Sequence, residues 1–147
     1  MSIKKRVMDY LAKRDHSEKE LKLKLSRLRS WENKKQPLYS KEEIEAVLLW
    51  AKTNKWLVAE TALAERWSQA LDRKKKGIHF INAYLNQKGL PPVKKNEDVE
   101  LEKAIELLKR KIGQRSVDLS LKIKLKRFLL SRGFDSNTIK KAVSTLT

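Results

Sequence analysis

A chain of 147 residues is the length of one domain, or of a few small repeats stacked into one body. Its 35 Lys and Arg outweigh 18 Asp and Glu, and the resulting charge of +17 points to a polyanionic partner or an acidic protein surface. The absence of cysteine excludes disulfides and thiolate chemistry, and the longest apolar run, Ala46 to Ala51, is far shorter than the roughly 20 residues of a membrane span.

Four Gly and three Pro leave little material for the turns of an all-β protein, so the expected class is all-α. Residues 2–14 place Ile3, Val7, Tyr10 and Leu11 on one helical stripe, and their scattered charges leave no apolar signal core, so a cytoplasmic protein is expected. The next segment, RDHSEKELKLKL, is ambiguous. Leu21, Leu23 and Leu25 alternate with lysines as in a half-buried strand, yet Ser17-x-x-Glu20 is a capping box, an arrangement that only a helix start uses. Wound as a helix, the segment puts Leu21, Leu25 and Leu28 on one stripe and leaves Leu23 on the far side. Ser40-Lys-Glu-Glu43 is a second capping box, opening SKEEIEAVLLWAKTN and completing a first three-helix unit over residues 1–57.

A second unit, residues 58–98, is expected to comprise AETALAERWSQALDRKKK, a helix between Gly77 and Gly89, and a helix after the Pro91-Pro92 turn. The third, residues 99–147, comprises VELEKAIELLKRKI, SVDLSLKIKLKRFLLSR and SNTIKKAVSTL, with residues 93–112 open to sharing between the two. In the lysine-striped helix of this unit, Leu121, Leu125, Phe128 and Leu129 lie on one face and Leu119, Ile123 and Leu130 on another, so neighbours are expected on two sides. Internal repetition supports the division. Tyr39, Ile44, Val47 and Leu48 recur as Phe134, Ile139, Ala142 and Val143, and Leu85-x-x-Lys88-Gly89-Leu90 is echoed by Leu129-x-x-Arg132-Gly133-Phe134.

DYLAKRDHSEKELKLKL followed by YSKEEIEAVL resembles the amino-terminal signature of the RecX family, bacterial regulators of the RecA recombinase. LAERWSQALDRKKKGIHFINAYLNQKGL is similar to that family's central signature, and RGFDSNTIKKAV to its closing hairpin. The resemblance implies an elongated array of three tandem three-helix units that settles in the groove of the RecA filament on DNA and limits its growth or promotes its disassembly. Two departures stand out. Val58-Ala59-Glu60-Thr61 replaces the family's usual acidic pair, and the connection SRLRSWENKKQPL is longer than usual.

Arg73-Lys74-Lys75-Lys76 is the densest basic run, expected to face solvent at a helix end, where it could stabilise the helix dipole, bind a partner, or both. Its place in the central signature favours binding. Residues 109–127 hold Lys109, Arg110, Lys111, Arg115, Lys122, Lys124, Lys126 and Arg127 against Asp118 alone, with Arg115, Lys122 and Lys126 candidates for one shared face. Trp50 and Trp67 read as core, while Trp31, in the polar connection, stays open as a contact. His16 and His79 lack the companions of a zinc site, and no acid–base pair, nucleophile or phosphate loop is evident, so no cofactor or metal is expected. The expected function is that of a non-enzymatic monomeric regulator of the RecA nucleoprotein filament, with accessory binding to single- and double-stranded DNA. The competing reading is a helix-turn-helix DNA-binding protein with no recombinase partner.

Overall fold

The computed structural model describes residues 2–146, in which eight α-helices carry the regular structure. They are α1 (Ile3–Lys13), α2 (Glu18–Arg27), α3 (Lys41–Thr53), α4 (Glu60–Arg73), α5 (Ile78–Gln87), α6 (Glu97–Ile112), α7 (Leu119–Ser131) and α8 (Ser136–Ser144). The ambiguous segment is helical, and both hydrogen bonds of its capping box are present: Glu20 N–H donates to Ser17 Oγ at 3.1 Å, and Ser17 N–H to the Glu20 carboxylate at 3.3 Å. Leu21 and Leu25 are buried and Leu23 is exposed, as a helical stripe requires. The second capping box opens α3 in the same way, and Asn96, Asp118 and Asp135 cap α6, α7 and α8.

The chain divides into two compact units, Met1–Leu63 with Lys88–Leu90, and Ala64–Gln87 with Pro91–Thr147. In the first, α3 packs on α1 and α2 around Val7, Leu21, Leu25, Tyr39, Ile44 and Val47. Full burial of each Leu, Ile or Val contributes about 1.5–3 kcal/mol. The long connection between α2 and α3 is a short backbone-paired arm. Leu38 N–H donates to Leu28 O at 2.9 Å, Ser30 N–H to Gln36 O at 2.9 Å, and Arg29 and Pro37 form the one isolated β-bridge among the described residues.

In the second unit, α8 packs on α6 and α7 around Leu108, Leu125, Leu129, Phe134, Ile139 and Val143. Of the readings left open for residues 93–112, the helices follow the shared one: residues 91–96 are irregular, and a single helix, α6, follows the Pro91-Pro92 turn, packing on α7 and α8 while its Glu100 accepts the Ile78 N–H at the start of α5 at 2.6 Å. One expectation needs correction: α7 packs on both α6 and α8, but its second apolar face is left uncovered. Its first apolar face is covered, but Leu119, Ile123 and Leu130 remain 75%, 45% and 64% exposed.

The repeated basic-glycine elements form comparable junctions. Gly89 and Gly133 both adopt positive φ, at 72° and 96°, where a glycine avoids the clash a side chain would meet. A Cβ at Gly89 would lie 2.7 Å from Lys19 Cβ, and one at Gly133 would lie 2.5 Å from both Cβ and N of Phe80. Within the first unit the carbonyl before the glycine, Lys88 O, accepts from the Ser17 hydroxyl at the start of α2. Within the second, Arg132 O accepts from Gly77 N–H at the start of α5 at 2.9 Å. In both, a helix start is held against a basic-glycine elbow.

Candidate functional site

The basic run at the end of α4 is shaped by what ties its backbone down. Lys75 turns the chain with φ of 60°. Lys74 O accepts from the Arg132 guanidinium at 2.7 Å, and Lys76 O from Lys103 Nζ at 2.7 Å. Lys103 is only 4% exposed, and its ammonium also pairs with Asp72 at 2.6 Å and with Glu100. This buried network satisfies a desolvated cation and holds the turn rigid. The run is therefore not uniformly solvent-facing, as its composition led us to expect. Arg73 and Lys74 are exposed, whereas Lys75 and Lys76 are half-buried, Lys75 paired with Glu106 at 2.9 Å and Lys76 Nζ 4.6 Å from the Phe80 ring centroid.

Glu106 links this run to the end of α6, because it also accepts from Arg110 at 2.9 Å. The hydrogen bond from Lys75 lowers the pKa of its carboxyl, so it stays ionised between the two cations. Lys109, Arg110 and Lys111 are exposed, and Lys111 Nζ lies 4.8 Å from the Phe128 ring centroid on α7. Arg115 does not join the face of Lys122 and Lys126. It folds back on α6, donating to Ile112 O at 3.2 Å and to Lys111 O, and so satisfies carbonyls left open at the helix end.

On α7, Lys124, Lys126 and Arg127 are exposed and Lys122 is half-buried. Among the described residues, none of these four side chains has an ion-pair partner, nor do Arg73, Lys74 and Lys109. At about 100° per residue, Leu119, Ile123 and Leu130 fall within an arc of about 40°, Lys126 borders it, Lys122 and Arg127 flank it, and Lys124 points away. The face is an apolar stripe rimmed by unneutralised cations. It can bury apolar surface and attract acidic groups at once.

Some well-connected residues were not singled out from sequence. Glu20, legible only as half of a capping box, is buried and also accepts from Arg14 at 2.7 Å and Lys88 at 3.0 Å. Burial alone would raise its pKa, but the hydrogen bonds from Arg14, Lys88 and the Ser17 amide outweigh it and hold the carboxyl at about 2. His16 is buried beside it, its Nδ1–H donating to Arg14 O at 3.0 Å and its Nε2 accepting from Lys24 Nζ at 2.7 Å. Burial lowers its pKa and favours this neutral ring. Trp50 is half-buried against the core of the first unit, and Trp67 is half-buried and edge-on to Tyr84 at 5.7 Å. Among the described residues no group of three or more His, Cys, Asp or Glu could hold a metal ion, and no helix is long and apolar enough to cross a membrane.

The repeated junctions and the cationic, partly apolar surface define a helical-repeat protein whose exposed chemistry is that of binding. Residues 98–143 match the family described as RecX, third three-helix domain. Regulatory protein RecX of Leptothrix cholodnii is 32% identical across 97% of this chain and 88% of its own length. That of Cronobacter sakazakii is 34% identical across 88% of this chain and 82% of its own. The crystal structure of RecX from Lactobacillus salivarius shares the fold, with a TM-score of 0.80 over 98% of this chain and 94% of its own at 19% identity. The chain belongs to the RecX family and is a regulatory protein, not an enzyme.

Proposed function

We propose that this RecX-family protein acts as a cytoplasmic monomer that binds the RecA nucleoprotein filament and inhibits recombination, with non-specific DNA binding as an accessory. On this reading the eight helices form three repeated units over residues 1–57, 58–98 and 99–147, each of three helices because α6 is shared between the second and the third. The face of α7 carries the proposal. Leu119, Ile123 and Leu130 contribute little toward phosphates, but together with Lys122, Lys126 and Arg127 they suit a protein surface combining apolar and acidic groups. A reading helix of the helix-turn-helix type would instead offer polar side chains to base edges. The exposed Arg73, Lys74, Lys109, Arg110 and Lys111 supply the positive potential for DNA phosphates or acidic filament surface.

RecA from the same host, assayed for DNA-dependent ATP hydrolysis, tests the proposal. The unmodified protein should suppress hydrolysis, and the combined I123S, K126E and R127E variant should lose most of that effect while retaining its helicity. R73E with K74E should weaken inhibition further, and both sets leave the buried Lys103 network intact. A folded α7 variant with full inhibition would remove this face from the partner surface. Tight, sequence-selective binding to bare duplex without RecA would support the rival.

A further inference from the structure

Between α2 and α3 the chain carries an arm distant in sequence from the basic run of α4 and from α7. Its base is fixed: Leu28 and Leu38 pack against the core of the first unit, and Tyr39 is buried in it. The Leu28–Leu38 and Ser30–Gln36 backbone hydrogen bonds, each 2.9 Å, hold its two sides together. Its tip is closed by Asn33, whose carbonyl accepts from Gln36 N–H at 3.0 Å and whose side chain accepts from Lys35 N–H at 3.1 Å. At this tip Trp31 is 92% exposed, against 48% for Trp56, so its indole is offered to solvent by an anchored arm.

We propose that this arm is a single-stranded nucleic-acid contact in which Trp31 stacks on an unpaired base. The indole supplies a broad π face, and every base offers another, so stacking is tolerant of sequence. Arg29, Lys34 and Lys35 lie within four residues of Trp31 in sequence, against one carboxylate, Glu32, and can contact the phosphates that flank the stacked base. Arg29 has one amino group committed to Ser26 O at 3.1 Å, which steadies its guanidinium near the end of α2. Duplex DNA hides its base faces within its own stack, so the contact discriminates single strands from duplex. The inference rests on the accessory DNA binding proposed above and adds the place and the mode.

The test uses the full chain, a short labelled oligothymidylate and a labelled duplex of mixed sequence, with binding followed by anisotropy and tryptophan fluorescence. W31A should weaken oligothymidylate binding roughly five- to a hundredfold, the range expected for one stacked base. W31F should retain most of it, and duplex affinity should be unchanged in both variants. Part of the fluorescence quenching on binding should disappear in W31F, since the other tryptophans remain. Circular dichroism should show unaltered helicity. Equal oligothymidylate affinity for W31A and the unmodified protein would overturn the proposal, as would equal losses on single strand and duplex. Normal DNA binding with lost inhibition of RecA would overturn it in favour of a protein contact. If the unmodified protein binds neither nucleic acid, the accessory DNA binding fails with it, whereas binding that ignores W31A sinks the stacking alone.

Discussion

Replacing Gly133 with Ala should be among the most damaging single-methyl changes this chain can undergo. Two costs combine. At φ of 96° a side chain is strained, at roughly 1–2 kcal/mol. The new Cβ would also lie 2.5 Å from Phe80 N and Cβ, and the backbone of α5 cannot yield there without disturbing the His79 N–H bond to Gly133 O at 2.8 Å and the Gly77 N–H bond to Arg132 O at 2.9 Å. Overpacking of this kind costs about 1–3 kcal/mol, while the stiffer unfolded chain returns about 0.4–1 kcal/mol. The net loss should be about 1–5 kcal/mol. G113A is the internal control, because Gly113 also has positive φ, 60°, but a Cβ there would meet nothing within 4 Å. Urea unfolding followed by circular dichroism should place G133A below G113A, where positive-φ strain acts without a close approach. If the two variants unfold alike, the elbow is not a tight junction and the structural account of the repeat is wrong.

The Glu20 carboxyl, held at about 2 against an ordinary value of 4.5, contributes stability that is present above the ordinary value and lost as pH falls toward 2; unfolding midpoints measured across this range should fall steeply, and E20Q should flatten the profile. An E20Q profile as steep as the parent's would show that the carboxylate does not act this way. K103M should cost about 3–5 kcal/mol because it strands the buried Glu100 without its cation, and adding E100Q should recover part of the loss in urea melts; an additive double variant would refute the coupling. If roughly five phosphates are neutralised, duplex affinity should fall with salt at a log–log slope of about −4 to −5, checked by titration at several ionic strengths; a slope near zero would remove the electrostatic component.

Much of the fold was legible because its signals are local. Ser17 and Glu20 sit three residues apart, and a capping box outweighs the chance alternation of Leu21, Leu23 and Leu25. The echo of Lys88-Gly89 in Arg132-Gly133 was visible, and both glycines do terminate helices with positive φ. What each elbow presses against was not visible, because Lys19 and Phe80 are distant in sequence from Gly89 and Gly133. The same limit applied to the candidate site. A run of four basic residues reads as one solvated patch, yet Lys75 and Lys76 are drawn inward by Glu106, Phe80 and the buried Lys103, none of which the run itself announces. Periodicity shows that α7 is apolar on two faces, but it does not say whether anything in the same chain covers the second.

The most direct test of the central claim is a titration of this protein into RecA from the same host, assembled on single-stranded DNA with ATP, with hydrolysis followed continuously. A regulator acting on filaments should suppress hydrolysis at fewer than one copy per RecA protomer, since blocking an end or a stretch of groove affects many protomers at once. Hydrolysis unaffected at equimolar amounts would contradict the account.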